Sequence, residues 1–233
     1  MKQKIQKIIE NSVLVNKKQK KEFLLFGRIM VYIHEPLAID TVSFDRIISQ
    51  IEEYVPPHLF DGIDLIYVGY FQDLIDRELE AMYENAAIFI TNVLESDADY
   101  IENIIHEVAH ALEESNGLQI YGDKKIEKEF LGKRKRLFHI IQSEGHDATR
   151  VDALDPEYQE DMDKFLYQEL GYESLNYLIN GLFLNPYAVT SLREYFASGM
   201  EKYLLSSEDR RHLKTLSPKL VEKIEELING YQD

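Results

Sequence analysis

The sequence has no cysteine in 233 residues. That excludes a disulfide framework and a thiolate metal site, so any bound metal must be held by histidine and carboxylate. Long apolar runs are also missing. No stretch approaches the roughly 18–20 consecutive apolar residues of a membrane helix. The segment Met1 to Phe23 is rich in lysine and glutamine and has no apolar core of signal-peptide length. As written, the chain therefore reads as soluble and cytoplasmic, with association with a virion or delivery as an effector as alternatives. Positive charge is short as well: 26 Lys and Arg stand against 42 Asp and Glu, a net charge of −16. A surface of that sign is wrong for phosphate backbones and for anionic lipid, so no nucleic-acid or membrane partner is expected. Internal repeats and low-complexity linkers are absent too. What the chain does have is a hydrophobic content of 45%, enough for a real core.

The pattern along the chain predicts mixed α and β first, then helix almost to the end, an α+β layout. Residues 1–22 read as a charged helical arm, and 23–233 as one domain with a sheet-bearing lobe (23–117) and a helical lobe (118–233). Phe23 to His34 reads as a strand. Phe44, Ile47, Ile48, Ile51 and Val55 recur at helical spacing, and Pro56-Pro57 ends that helix. Ile63 to Phe71 and Ala86 to Thr91 read as strands. Helices follow at Asp99 to Ser115 (stopped by Asn116-Gly117), at Lys124 to Ser143, from Asp155-Pro156 to before Gly171, and near Ser174 to Asn180. The last two are Ser191 to Leu205 and Ser217 to Ile228. The run Lys133-Arg134-Lys135-Arg136 reads as a solvated basic face of its helix, with docking of an acidic partner as the other reading.

The first of these helices carries His106-Glu107-Val108-Ala109-His110. Two histidines at i and i+4 lie one above the other on a helix, so both imidazoles can reach one ion at about 2.0–2.1 Å. Glu107, turned by about 100° from His106, does not ligate but can bond a water on the metal. Ile101, Ile104, Ile105, Val108 and Leu112 form one apolar stripe that must face the core. The histidines point well away from it. The strand Ala86 to Thr91 just before this helix is read as the edge of a substrate cleft, where an extended peptide could pair. Glu102, Glu113 and Glu114 read as solvent charges. The bland alternative for the whole run is a polar face that happens to carry two histidines. A catalytic zinc site needs a third protein ligand and one open position. Of His34, His58, His139, His146 and His212, only His146 invites that role.

A second stretch bears on the question: Asn185-Pro186-Tyr187-Ala188-Val189-Thr190-Ser191-Leu192-Arg193-Glu194-Tyr195-Phe196-Ala197-Ser198-Gly199-Met200-Glu201. With the HEVAH helix, it resembles the catalytic domain of anthrax toxin lethal factor and the related clostridial Pro-Pro endopeptidases. Those proteins carry an H-E-x-x-H helix and, later, a helix opening Glu-aromatic-Phe-Ala. The resemblance implies a zincin-like fold with Glu194 as third zinc ligand and Tyr187, seven residues earlier, assisting catalysis. It covers about Phe44 to Ile228 and is specific only at the two motifs. This chain departs from the family in three ways. His110 and Glu194 are 84 positions apart, longer than in compact members. Tyr121 to Tyr172 reads as an insertion. Ser198 stands where lethal factor has a second acidic residue. Taken alone, Ser191-x-x-Glu194 is also a capping box, in which Glu194 would serve a backbone N–H. Tyr187 is also an ordinary loop aromatic, and Tyr195 and Phe196 read as core.

The resulting expectation is a zinc metalloendopeptidase acting on a peptide or protein substrate. His106, His110 and Glu194 hold Zn2+, Glu107 is the general base, and Tyr187 supports the oxyanion. The rival reading is a non-proteolytic structural or phage protein that keeps a zinc site closed by a fourth ligand such as His146.

Overall fold

The computed structural model describes residues 21–149 and 151–230, so the charged arm lies outside the described residues except for Lys21 and Glu22, which open the first strand. The chain divides into two compact units, Met1–Ala111 and Leu112–Asp233.

The first unit is built on a five-stranded mixed sheet of order β1-β2-β3-β5-β4. Its strands are β1 (Lys21–Leu25), β2 (Ile29–Ile33), β3 (Leu65–Gly69), β4 (Ala81–Glu84) and β5 (Ala87–Thr91). β2, β3 and β5 run parallel, while β1 and β4 are antiparallel to their neighbours. Val31, Ile66 and Ile88 stand in register and are fully buried, as the period-2 pattern of a half-covered sheet requires. On the opposite face Tyr32, Tyr67 and Phe89 form an aromatic row with centroids 6.3 and 5.4 Å apart.

Two readings are corrected here. The expected single strand from Phe23 to His34 is a hairpin. Phe26 and Gly27 turn it with φ of 52° and 66°, and Arg28 N–H bonds the Leu25 carbonyl at 3.2 Å. Phenylalanine is an unusual residue at a left-handed position. It is held there by a 2.6 Å bond from its N–H to Glu52 Oε1 and by an edge contact with Phe60. Secondly, the strand ending at Thr91 is not the sheet edge. It pairs with β3 on one side and β4 on the other, and β4 forms the edge on that side. The β4–β5 turn again uses two left-handed residues, Asn85 and Ala86. With alanine in place of the usual glycine, it carries little sequence signal.

α1 (Phe44–Tyr54) packs on β1, with Phe44 between Phe23 of β1 and Tyr100. A short α2 (Gln72–Asp76) follows β3. Next comes α3 (Asp97–Tyr121), which kinks at Asn116, where φ and ψ leave the helical range. That is where Asn116-Gly117 was expected to stop it. Asp97 anchors the start of α3 by accepting from Ser43 N–H at 2.8 Å and Arg46 Nε at 2.6 Å.

The second unit is helical: α4 (Lys125–Ser143), α5 (Glu160–Lys164), a π-helical stretch (Phe165–Gly171), α6 (Tyr172–Leu178), α7 (Leu192–Leu205), α8 (Ser207–Leu216) and α9 (Pro218–Asn229). α4, α7 and α9 pack together around Phe130, Phe183 and Tyr195, whose rings lie 5.4–6.1 Å apart. Gly199 lets α7 approach α9, since a Cβ there would fall 2.3 Å from Leu220 Cδ2. Asp155-Pro156 does not begin a helix. The Asp155 carboxylate instead accepts from Glu157 N–H at 3.0 Å in a turn, and helix starts only at Glu160. Ser217 makes no side-chain cap for α9. Glu129 of α4 takes that role, accepting from Lys219 N–H at 2.9 Å and Leu220 N–H at 3.1 Å, a favourable place for a carboxylate at a helix N-terminus.

The basic run also differs from expectation. Lys135 and Arg136 are exposed, but Arg134 is fully buried and Lys133 half-buried. Arg134 stacks on Phe130, 4.6 Å from its centroid. Its guanidinium donates to the carbonyls of Ala153 (3.1 Å), Val189 (3.2 Å) and Thr190 (3.2 Å), and to that of Asp155. Burial lowers its pKa to about 10, so it is still charged at neutral pH. Lys133 bonds Tyr195 Oη at 2.8 Å and Ser217 Oγ at 2.5 Å, and burial brings its pKa down to about 8. Arginine, with five donors in a planar fork, is the side chain that can serve four carbonyls together. Replacing it with methionine leaves those carbonyls unpaired. Arg134→Met should therefore cost about 3–5 kcal/mol of stability, read as a lower urea midpoint with an unchanged m-value.

Candidate metal centre

α3 delivers the histidine pair. Its apolar stripe is buried throughout, with Ile105 and Val108 fully so, which fixes the rotation of the helix. His106 and His110 are left half-buried, with ring centroids 5.0 Å apart and planes at 76°. Glu107 is buried at 7% exposure.

α7 delivers the carboxylate. Ser191, itself buried, is the N-cap, and its Oγ accepts from Glu194 N–H at 3.1 Å. The capping reading of Ser191 therefore holds at the backbone N–H of Glu194. His106, His110 and Glu194 each offer one ligand atom, and these atoms all lie within 4.8 Å of one another. The three could hold a metal ion. Two imidazoles and one carboxylate, with no thiolate anywhere in the chain, make a donor set suited to zinc and similar divalent ions.

Tyr187 begins a 3-10 turn, Tyr187–Val189, and is 42% exposed. Asn185 Oδ1 accepts from Ala188 N–H at 2.8 Å, and the Tyr187 carbonyl accepts from Thr190 N–H at 3.0 Å and Thr190 Oγ1 at 2.8 Å. Arg134 donates to the carbonyls of Val189 and Thr190 at the end of this turn, and the Pro156 carbonyl accepts from Leu192 N–H at 2.8 Å. Parts of the 121–172 segment thus brace the turn that carries Tyr187 and the start of α7. Tyr195 and Phe196 are core residues, as expected.

The other histidines stay apart from the group. His34, His58, His139, His146 and His212 are all exposed, and the only metal-ligating group of three among the described residues is the one named. Ser198, where the resemblance has an acidic residue, is buried, and its hydroxyl has no hydrogen-bond partner among the described residues.

Glu113 is misjudged by the sequence. It is buried rather than a solvent charge, and its carboxylate accepts from Arg193 Nε at 3.0 Å and from the Tyr121 hydroxyl. Burial and the adjacent Glu113 carboxylate push the Tyr121 phenol well above its ordinary pKa. Glu113 lies 80 positions from Arg193, so no local pattern marks the pair.

No protein-family model matches the chain, no curated protein is significantly similar to it, and no solved structure matches it.

Proposed function

We propose that the protein is a zinc-dependent endopeptidase, with the metal held by His106, His110 and Glu194. The observation that carries this reading is the convergence of those three ligand atoms beside the buried Glu107. Bound there, zinc would supply a Lewis acid and a water of pKa about 7. Glu107 would serve as the general base toward such a water and as the general acid toward the leaving amine. The Tyr187 hydroxyl donates to the carbonyl oxygen as negative charge grows there. An extended peptide would present its backbone to β4, the edge strand beside β5, rather than to β5 itself. The resemblance to lethal factor and the Pro-Pro endopeptidases supports the same assignment of Glu194 and Tyr187. The exposed position of His146, outside the metal group, speaks against a closed structural site.

Incubating the purified protein with a peptide library tests the proposal. Cleavage should appear with zinc present, stop on addition of a chelator and return when zinc is restored. Cleavage that survives complete metal removal, or a zinc-loaded protein that cuts nothing in the library, would sink it.

A further inference from the structure

We infer that the Glu113–Arg193 ion pair is a positioning clamp for the metal centre, fixing the distance between the histidine pair and the third ligand. The inference rests on the zinc site proposed above. Glu113 lies three residues beyond His110 on α3, so it sits on a neighbouring part of the helix one turn further on. Arg193 directly precedes Glu194 in the first turn of α7. Neighbours on a helix diverge by about 100° and rise by about 1.5 Å. Arg193 can therefore reach Glu113 while Glu194 faces a different way, and holding one holds the backbone of the other. The Ser191 cap on Glu194 N–H stiffens the same turn.

The burial of Glu113 makes the clamp specific. Its side chain is only 5% exposed, whereas that of Arg193 is 58% exposed. A buried carboxylate is costly unless it is paired and hydrogen-bonded. Here the guanidinium Nε and the Tyr121 hydroxyl meet that need. Tyr121 in turn lies edge-on to Phe196 of α7, with centroids 6.2 Å apart. Glu113 is thus tied to the ligand-bearing helix by two routes, charge through Arg193 and packing through Tyr121. Neither Glu113 nor Arg193 is among the ligands themselves, so the effect should appear in metal affinity.

The test is a titration of metal-free full-length protein with Zn2+ alone, for wild type, Arg193→Met, Arg193→Lys and His110→Ala. Circular dichroism and the melting midpoint of each metal-free protein accompany it. Arg193→Met should raise the zinc Kd by about tenfold or more, the scale found when supporting contacts around metal ligands are removed. Arg193→Lys, which keeps the charge and loses the planar donor geometry, should fall between it and wild type. If Arg193→Met does not fold, Arg193→Lys decides on its own: a Kd at least threefold above wild type supports the clamp. Affinity equal to wild type in whichever folded variant is measured, with at most a lower metal-free midpoint, reduces the pair to a structural contact and overturns the clamp alone. A wild-type protein that takes up no zinc, or a His110→Ala variant that binds it as well, overturns the metal centre and the clamp with it.

Discussion

Glu107→Gln should abolish most turnover while leaving zinc binding intact. The glutamine is nearly isosteric and fits the buried position that Glu107 occupies. Its amide cannot accept a proton from water, however, so the attacking oxygen loses its base and the leaving amine its acid. Positioned acid–base groups contribute about 10²–10⁴-fold, and a drop in kcat of that order is expected with no comparable change in zinc Kd. Hydrolysis of the best library peptide, followed alongside zinc titration, checks both halves. A variant that cleaves at the wild-type rate would remove Glu107 from the mechanism. One that loses zinc as well would place it in the ligand set instead.

The second large effect belongs to the ligands. His110→Ala removes one of the three proposed donors and should weaken zinc binding by about 10²–10³-fold, since structural zinc sites gain about 10–16 kcal/mol from their ligands together. Binding to the folded state alone also stabilises it. At zinc concentrations 1,000 times Kd the gain is about 4 kcal/mol, which for a chain of this size raises the melting midpoint by roughly 8–16 °C. Wild type should show that zinc-dependent rise, Glu107→Gln should keep it, and His110→Ala and Glu194→Ala should lose most of it. Differential scanning calorimetry with and without zinc reads the outcome. A rise that persists in both alanine variants would place the metal elsewhere.

Much of the fold was legible because the signals are local. The helical spacing of Phe44, Ile47 and Ile51 and the stop at Pro56-Pro57 correspond to α1. The apolar stripe around the HEVAH run corresponds to the buried face of α3. The misses in the sheet share one cause. Phe26 and Ala86 occupy left-handed turn positions that usually call for glycine or asparagine. The first hairpin therefore reads as one strand in the sequence, and β4 carries no turn signal to separate it from β5. Missing β4 then put the sheet edge at the wrong strand, because an edge is a property of neighbours rather than of a sequence. Asp155-Pro156 carries a helix-start signature, but its carboxylate closes a turn and its carbonyls serve Arg134 and Leu192.

Charge was the least legible feature. Four consecutive basic residues look alike in a sequence. Only packing shows that Arg134 meets four backbone carbonyls and stacks on Phe130 while Lys135 and Arg136 stay in solvent. The same holds for Glu113, which differs from Glu114 only in the helix face it occupies and in the arginine that comes to it from 80 positions away.

By itself, then, the sequence limited the donors that a metal site in this protein could use. The absence of cysteine left imidazole and carboxylate, and the i, i+4 spacing put two histidines on one face of a helix that its apolar stripe orients. Glu194 is named from the resemblance of its segment; only the tertiary structure brings its carboxylate near the two histidines, and only it buries Glu113 against Arg193. Among 42 acidic residues, ligation depends on three atoms meeting within a few ångströms. Such a meeting is made by long-range packing, and no local periodicity encodes it.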